Sequence, residues 1–146
     1  MKVIFLDFDG VITTVESKWR LSPPHMEIVK KIIDKTGAKI VISSSWRYRD
    51  VETTLKKVFG EDCNLENCNF LLNTKNVIGT TSRKQNTRGA QISAWLSENP
   101  QVTNYVILDD DKFDILPEHN GHLVRTHTMI GITNQDADLA IEILNN

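Results

Sequence analysis

The chain has 146 residues, 40% of them hydrophobic, enough for one well-formed core and too few for two ordinary domains, so a single domain over residues 1–146 is expected. A formal net charge of -2 excludes a general cationic field able to hold nucleic acid or an anionic membrane, so any polyanion must be gripped locally. Cys63 and Cys68 are the only cysteines, too few for a disulfide framework or a four-cysteine zinc site and too widely spaced for a C-x-x-C pair, which predicts reduced thiols. The first apolar run, Val3 to Leu6, is cut short by Asp7, and no stretch is long enough to span a bilayer; a cytoplasmic protein without membrane association is expected.

Val3-Ile4-Phe5-Leu6 is a short continuous apolar run, the pattern of a strand buried on both faces of a parallel sheet. Met26, Val29 and Ile33 then fall at helical spacing, behind Ser22 as N-cap and Pro23-Pro24 where a missing N–H costs little, and Gly37 closes that helix. Ile40-Val41-Ile42 predicts a second strand, and Val51, Leu55, Val58 and Phe59 a helix ending near Gly60. Phe70-Leu71-Leu72 and Val77-Ile78 are ambiguous. Ile92, Trp95 and Leu96 mark a third helix starting around Arg88-Gly89, with Trp95 most simply a core residue. Tyr105-Val106-Ile107-Leu108 is a further strand and Leu123-Val124 a short one. Thr133-x-x-Asp136 reads as a capping box for a last helix, Ala137 to Leu144. Strands alternating with helices predict a three-layer α/β fold, an open, doubly wound, mainly parallel sheet that binds ligands at the strands' carboxyl ends.

The three clearest strands end in residues suited to phosphate chemistry: Asp7-Phe8-Asp9-Gly10, Ser43-Ser44-Ser45 and Asp109-Asp110-Asp111. Converging acids such as Asp7, Asp9, Asp110 and Asp114 raise one another's pKa and call for a cation. Oxygen-only donors favour a hard ion, and magnesium fits best because it takes few carboxylates, keeps waters and bridges to phosphate. None of His25, His119, His122 and His127 lies at a metal-type spacing, which disfavours a transition metal. In the D-x-D pair, side chains two apart on a strand point the same way, and Gly10 lets the chain turn sharply. Asp7 could then attack phosphorus while Asp9 protonates the leaving oxygen and later deprotonates water.

On these residues the chain resembles the haloacid dehalogenase-like (HAD) superfamily. Asp7-Phe8-Asp9-Gly10-Val11 looks like its first signature and Lys39-Ile40-Val41-Ile42-Ser43-Ser44 its second, with the phosphate-binding hydroxyl placed on Ser44 and Ser43 as the competing register. Ile107-Leu108-Asp109-Asp110, with Asp114 at the usual spacing, resembles the fourth. The resemblance implies a phosphohydrolase working through an aspartyl-phosphate on Asp7, with magnesium held by Asp7, the backbone carbonyl of Asp9, and Asp110. It implies phosphate contacts from Ser44, Ser45, Gly10 and a cation. That cation departs from the commonest lysine form; Arg88, at the start of a helix, is preferred, with Lys84 and Arg83 left open, and the bidentate contact an Arg can make with phosphate makes the substitution reasonable. Supporting roles are expected for Asp109, Asp114, Arg47 and Lys84. The acid at Asp9 disfavours dehalogenation. Ser44-Ser45-Trp46-Arg47, Arg88-Gly89 leading to Trp95-Leu96, and Asp109-Asp110 are also similar to a small group of capless members associated with RNA-repair proteins.

The segments Ile12 to Leu21 and Trp46 to Thr87 leave no room for a full cap domain, and an open crevice suits a large substrate such as a nucleic-acid end. Trp46-Arg47-Tyr48-Arg49 could form an aromatic, cationic platform beside the phosphate, or simply start a helix with one buried aromatic; Trp19 and Arg20 could edge the same crevice. A nucleotide or sugar phosphatase and a catalytically silent binding module are the alternatives, the second weakened by retention of both Asp7 and Asp9. A response-regulator receiver is disfavoured because its paired acids are adjacent.

Overall fold

A computed structural model of the chain describes residues 1–59, 74–111, 114, 115 and 117–146. Cys63, Cys68, Gly60 and the Phe70-Leu71-Leu72 run lie outside the described residues. Among the described residues, five strands form one all-parallel sheet: β1 (Lys2–Leu6), β2 (Lys39–Ile42), β3 (Val77–Thr80), β4 (Asn104–Asp109) and β5 (Leu123–Arg125). Their spatial order is β3-β2-β1-β4-β5. Four helices connect or follow them: α1 (Pro23–Thr36), α2 (Val51–Phe59), α3 (Arg88–Glu98) and α4 (Asn134–Asn145). The fold is therefore the expected doubly wound α/β arrangement, and among the described residues there is no separate cap.

The apolar runs become strands because both of their faces are covered. Ile4, Leu6, Ile40, Ile42, Val106 and Leu108 face one side, where α1 contributes Met26, Val29, Ile32 and Ile33 and α4 contributes Ala137, Ala140 and Leu144. Val3, Phe5, Val41 and Ile107 face the other, where Ile92 of α3 covers them. Each such fully buried aliphatic side chain contributes about 1.5–3 kcal/mol of transfer free energy. Trp95, expected in the core, is only partly buried and packs its edge against Phe5, ring centroids 5.5 Å apart.

The capping expectations divide. The Thr133–Asp136 box forms in both directions, with α4 starting three residues earlier than its apolar pattern. Gly37 ends α1 at φ 69°, its N–H bonded to the Ile33 carbonyl. Ser22 sits at the N-cap of α1, but its hydroxyl pairs with His25 Nδ1 at 2.6 Å instead of capping the backbone. Pro23 and Pro24 remove the first two helical N–H groups, leaving that hydroxyl few donors to accept from. No described helix is long and apolar enough to cross a membrane.

Register is what brings the strand tips together. Leu6 pairs with both Ile42 and Leu108, so the residues that follow, Asp7, Ser43 and Asp109, emerge side by side at the carboxyl edge. The Asp7 N–H donates to the Leu108 carbonyl and the Ser43 N–H to that of Leu6, each at 3.0 Å.

Candidate active site

Asp7, Asp109 and Asp110 each offer a carboxylate oxygen, and these oxygens all lie within 4.8 Å of one another. Asp7 and Asp109 are buried and Asp110 is half-buried. The first residue of α3, Arg88, reaches into the group: its Nη1 lies 2.6 Å from Asp109 Oδ2 and 3.2 Å from Asp7 Oδ2. A cation at a helix N-terminus opposes the helix dipole; the two carboxylates offset that cost. Burial alone works against the Arg88 charge, but Asp7 and Asp109 outweigh it and raise its pKa.

Burial, followed by the Asp109 charge, pushes the Asp7 carboxyl up to about 7, although Arg88 and the Phe8 N–H pull it down. Burial likewise raises Asp109 against the opposing pull of Arg88. Three acids facing one guanidinium are thus short of positive charge, a deficit a divalent cation would remove. The donors are all hard carboxylate oxygens, as magnesium prefers, so the residues fit that ion. They are also held in place: Thr128 Oγ1 donates to Asp110 Oδ2 at 2.8 Å and the Asp111 N–H to Asp109 Oδ1 at 2.9 Å.

Gly10, expected as a phosphate contact, has its N–H bonded to the Thr13 carbonyl at 3.0 Å. Its φ is +79°, and a Cβ there would collide with the Asp110 carboxylate, so glycine is what lets Asp110 close on Asp7.

Asp9 stands apart from the three converging carboxylates. Its Oδ1 accepts from Thr13 Oγ1 at 2.8 Å and its Oδ2 from the Trp46 indole Nε1 at 3.0 Å. Trp46 meets Phe8 edge to face, centroids 5.7 Å apart. The residue therefore turns inward to orient an acid, not outward to stack a base.

Arg47 turns inward as well. It is buried, and donates to the carbonyls of Thr81, Ser43, Ser44 and Ser82 and to Gln91 Oε1, ordering the loop after β2. Burial, with Arg83 and Arg88 nearby, lowers its pKa to about 10. Tyr48 and Arg49 remain exposed, so the four residues divide between the two readings open from sequence, Trp46 and Arg47 inside and Tyr48 and Arg49 outside. Trp19 is exposed, at φ 57° in the loop after β1.

Ser43 and Ser44 are both fully buried. Ser44 Oγ accepts the Trp46 N–H at 3.1 Å, while Ser43 Oγ has no hydrogen-bond partner among the described residues. Ser45 is exposed, and its carbonyl accepts from Arg83 Nη2 at 2.7 Å. Arg83 also binds the Arg47 carbonyl at 2.6 Å. Lys84 is exposed on the same loop, and Asp114 is exposed, its carbonyl accepting the Gly89 N–H at 2.7 Å. Of the cations left open by sequence, Arg88 is the one paired with Asp7; Asp114 does not join the carboxylate group.

The family of domains described as the HAD domain in Swiss Army Knife RNA repair proteins matches residues 3–137. The chain belongs to this family. No curated protein and no solved structure matches it. The matched span of this HAD domain contains all three strand-end clusters and Arg88.

Sequence reasoning missed the residues that act at one remove. Thr13 and Thr128 orient Asp9 and Asp110, and Gln91 closes the Arg47 network. Lone threonines in loops carry no periodicity or motif that would have marked them. The full burial of Asp109, and its pairing with Arg88, was also stronger than the supporting role expected for it.

Proposed function

We propose that this HAD domain is a magnesium-dependent phosphomonoester hydrolase working through an aspartyl-phosphate on Asp7. The observation that carries the reading is the buried Asp7 carboxylate, flanked by Arg88 and by Asp109 and Asp110. Magnesium would be held by Asp7, Asp110 and the Asp9 carbonyl, with Asp109 beside them; when bound it supplies charge stabilisation for the phosphoryl oxygens.

The chain's own groups account for the rest. Arg88 and the Ser44 hydroxyl position the phosphoryl oxygens, with Ser45 at the rim. An Asp7 oxygen attacks phosphorus as the ester P–O bond breaks, and protonated Asp9 gives its proton to the leaving alkoxide oxygen. Asp9, now a carboxylate, takes a proton from water as that water attacks phosphorus. The Asp7–phosphorus bond breaks, releasing inorganic phosphate and restoring both acids. Trp46 and Thr13 hold the Asp9 carboxylate in one orientation for these two transfers.

The family's description favours the terminal phosphate of a polynucleotide as substrate over a sugar phosphate. Retention of both Asp7 and Asp9, with Arg88 paired to Asp7, speaks against a silent binding module. The test is turnover of p-nitrophenyl phosphate, nucleotides and phosphorylated oligonucleotides with magnesium, by wild type, Asp7→Asn and Asp9→Asn. Loss of turnover in both variants supports the mechanism; undiminished turnover by Asp7→Asn rejects the nucleophile.

A further inference from the structure

A groove of about 630 Å³ lies past the end of β3, bordered by Tyr48, Arg49, Arg83, Lys84, Gln85 and Trp95. It shares Arg83 and Gln85 with a second depression of about 380 Å³ whose walls include Ser45 and Arg88. Arg88 is the residue that touches Asp7, so one surface runs from the carboxylate site to Trp95. Arg83 is pinned at the junction by its bonds to the Ser45 and Arg47 carbonyls.

The lining is unlike the chain as a whole. Arg49, Arg83 and Lys84 face Glu98 as the one acid of the groove, in a protein of net charge -2. Two aromatic side chains lie among these cations. Tyr48 is 48% exposed, and Trp95 is braced edge-on by Phe5. A Cβ on Gly79 would sit 3.2 Å from the Trp95 indole nitrogen, so glycine there lets the indole lie close against β3. Cations that track a phosphate backbone, interleaved with aromatic faces that stack bases, are what sequence-tolerant single-strand binding requires. A sugar phosphate or free nucleotide has too few phosphates and bases to use both kinds of group along such a surface.

We propose that the groove formed by Tyr48, Arg49, Arg83, Lys84 and Trp95 holds the nucleotides flanking the terminal phosphate of a single-stranded polynucleotide. This assignment rests on the phosphatase reading and extends it to a specific substrate surface. Tyr48 stacks a base, Arg49 and Lys84 take backbone phosphates, and Arg83 marks the passage to Arg88.

The test is a binding measurement, so it is readable whether or not the protein hydrolyses its ligand. Asp7→Asn protein with magnesium is titrated into a fluorescein-labelled, terminally phosphorylated single-stranded oligonucleotide of about ten nucleotides, followed by anisotropy. Adding Tyr48→Ala weakens binding about tenfold, and Tyr48→Phe, which keeps the ring, restores it. Adding Arg49→Ala with Lys84→Ala weakens binding by at least as much and lowers the slope of log affinity against log salt by roughly 1.4, about 0.7 per lost phosphate contact. Lys35→Ala on α1 removes a charge outside the groove and leaves affinity as it was. The groove assignment is overturned by any of four results: no binding by the parent, equal affinity in the groove variants, a mononucleotide that binds as tightly, or a phosphorylated acidic peptide that does so. Failure of the hydrolase reading would instead appear as absent turnover, with oligonucleotide binding still sensitive to Tyr48.

Discussion

The indole Nε1 of Trp46 donates to Asp9 Oδ2 at 3.0 Å, tying the loop after β2 to the acid that follows β1. Thr13 Oγ1 holds the other oxygen at 2.8 Å, so the Asp9 carboxylate is fixed at both ends by neighbours on two different loops. The two hydrogen bonds orient it, apart from the group formed by Asp7, Asp109 and Asp110.

Trp46→Phe keeps the edge-to-face contact with Phe8 and removes only the N–H donor. A hydrogen bond to a charged group is worth about 1.5–3 kcal/mol, so kcat for p-nitrophenyl phosphate is expected to fall about tenfold or more with little change in KM. Steady-state kinetics across pH, with Thr13→Val as the matching change on the other oxygen, checks this. A Trp46→Phe enzyme with unaltered kcat would assign the indole to packing alone.

Arg88 neutralises two buried acids, so Arg88→Ala leaves both unpaired. Removing one partner of a buried pair costs about 3–5 kcal/mol, a cost that protonation of Asp7 and Asp109 relieves in the metal-free protein. Thermal unfolding at neutral pH should show a large loss of stability, partly recovered at acid pH. Arg88→Lys should retain more stability than activity, because one ammonium can meet both carboxylates as Nη1 does but leaves no second guanidinium nitrogen for the phosphoryl oxygens.

The Asp7 carboxyl predicts a definite pH dependence for the metal-free protein. Its folded pKa is raised from 3.8 to about 7, by burial first and Asp109 second. Between those values the folded state holds a proton that the unfolded state has lost, so stability falls as pH rises through that window and levels off above it. Magnesium removes the cost by supplying positive charge, so it should raise the melting temperature more near pH 8 than near pH 5. Asp7→Asn should flatten the metal-free curve and raise stability near pH 8 relative to wild type. Calorimetry with and without a chelator measures all three effects.

Gly10→Ala introduces a Cβ at φ +79° that would meet the Asp110 carboxylate. Both the left-handed backbone and the collision oppose it, at about 1–2 kcal/mol for the backbone alone. The variant is expected to bind magnesium more weakly than wild type by titration calorimetry, because Asp110 must withdraw from Asp7.

Much of this arrangement could be read from sequence because it depends on strand ends. Val3 to Leu6, Ile40 to Ile42 and Tyr105 to Leu108 are apolar without interruption, and the polar residues that follow each run must emerge at one edge of a parallel sheet. Arg88 is preferred over Arg83 and Lys84 because it stands where an apolar helical pattern begins, and it is the one the structure pairs with Asp7. The inward turn of Trp46 and Arg47 was not, since neither periodicity nor composition says which way a loop side chain points. The same four residues read as an exposed platform or a helix start, and the structure uses Trp46 and Arg47 inside and Tyr48 and Arg49 outside. Ser22 shows the limit of capping rules, which name the position but do not see that two prolines have left it few donors.

The central claim is that Asp7 itself takes the phosphoryl group. Acid-quenching the protein during turnover of a radiolabelled phosphomonoester with magnesium, then mapping the label by peptide mass spectrometry, tests it most directly. The account predicts label on the peptide containing Asp7, released by hydroxylamine, absent from Asp7→Asn and accumulating in Asp9→Asn, where the second proton transfer is slowed. Turnover with no label at Asp7, or label undiminished in Asp7→Asn, contradicts it.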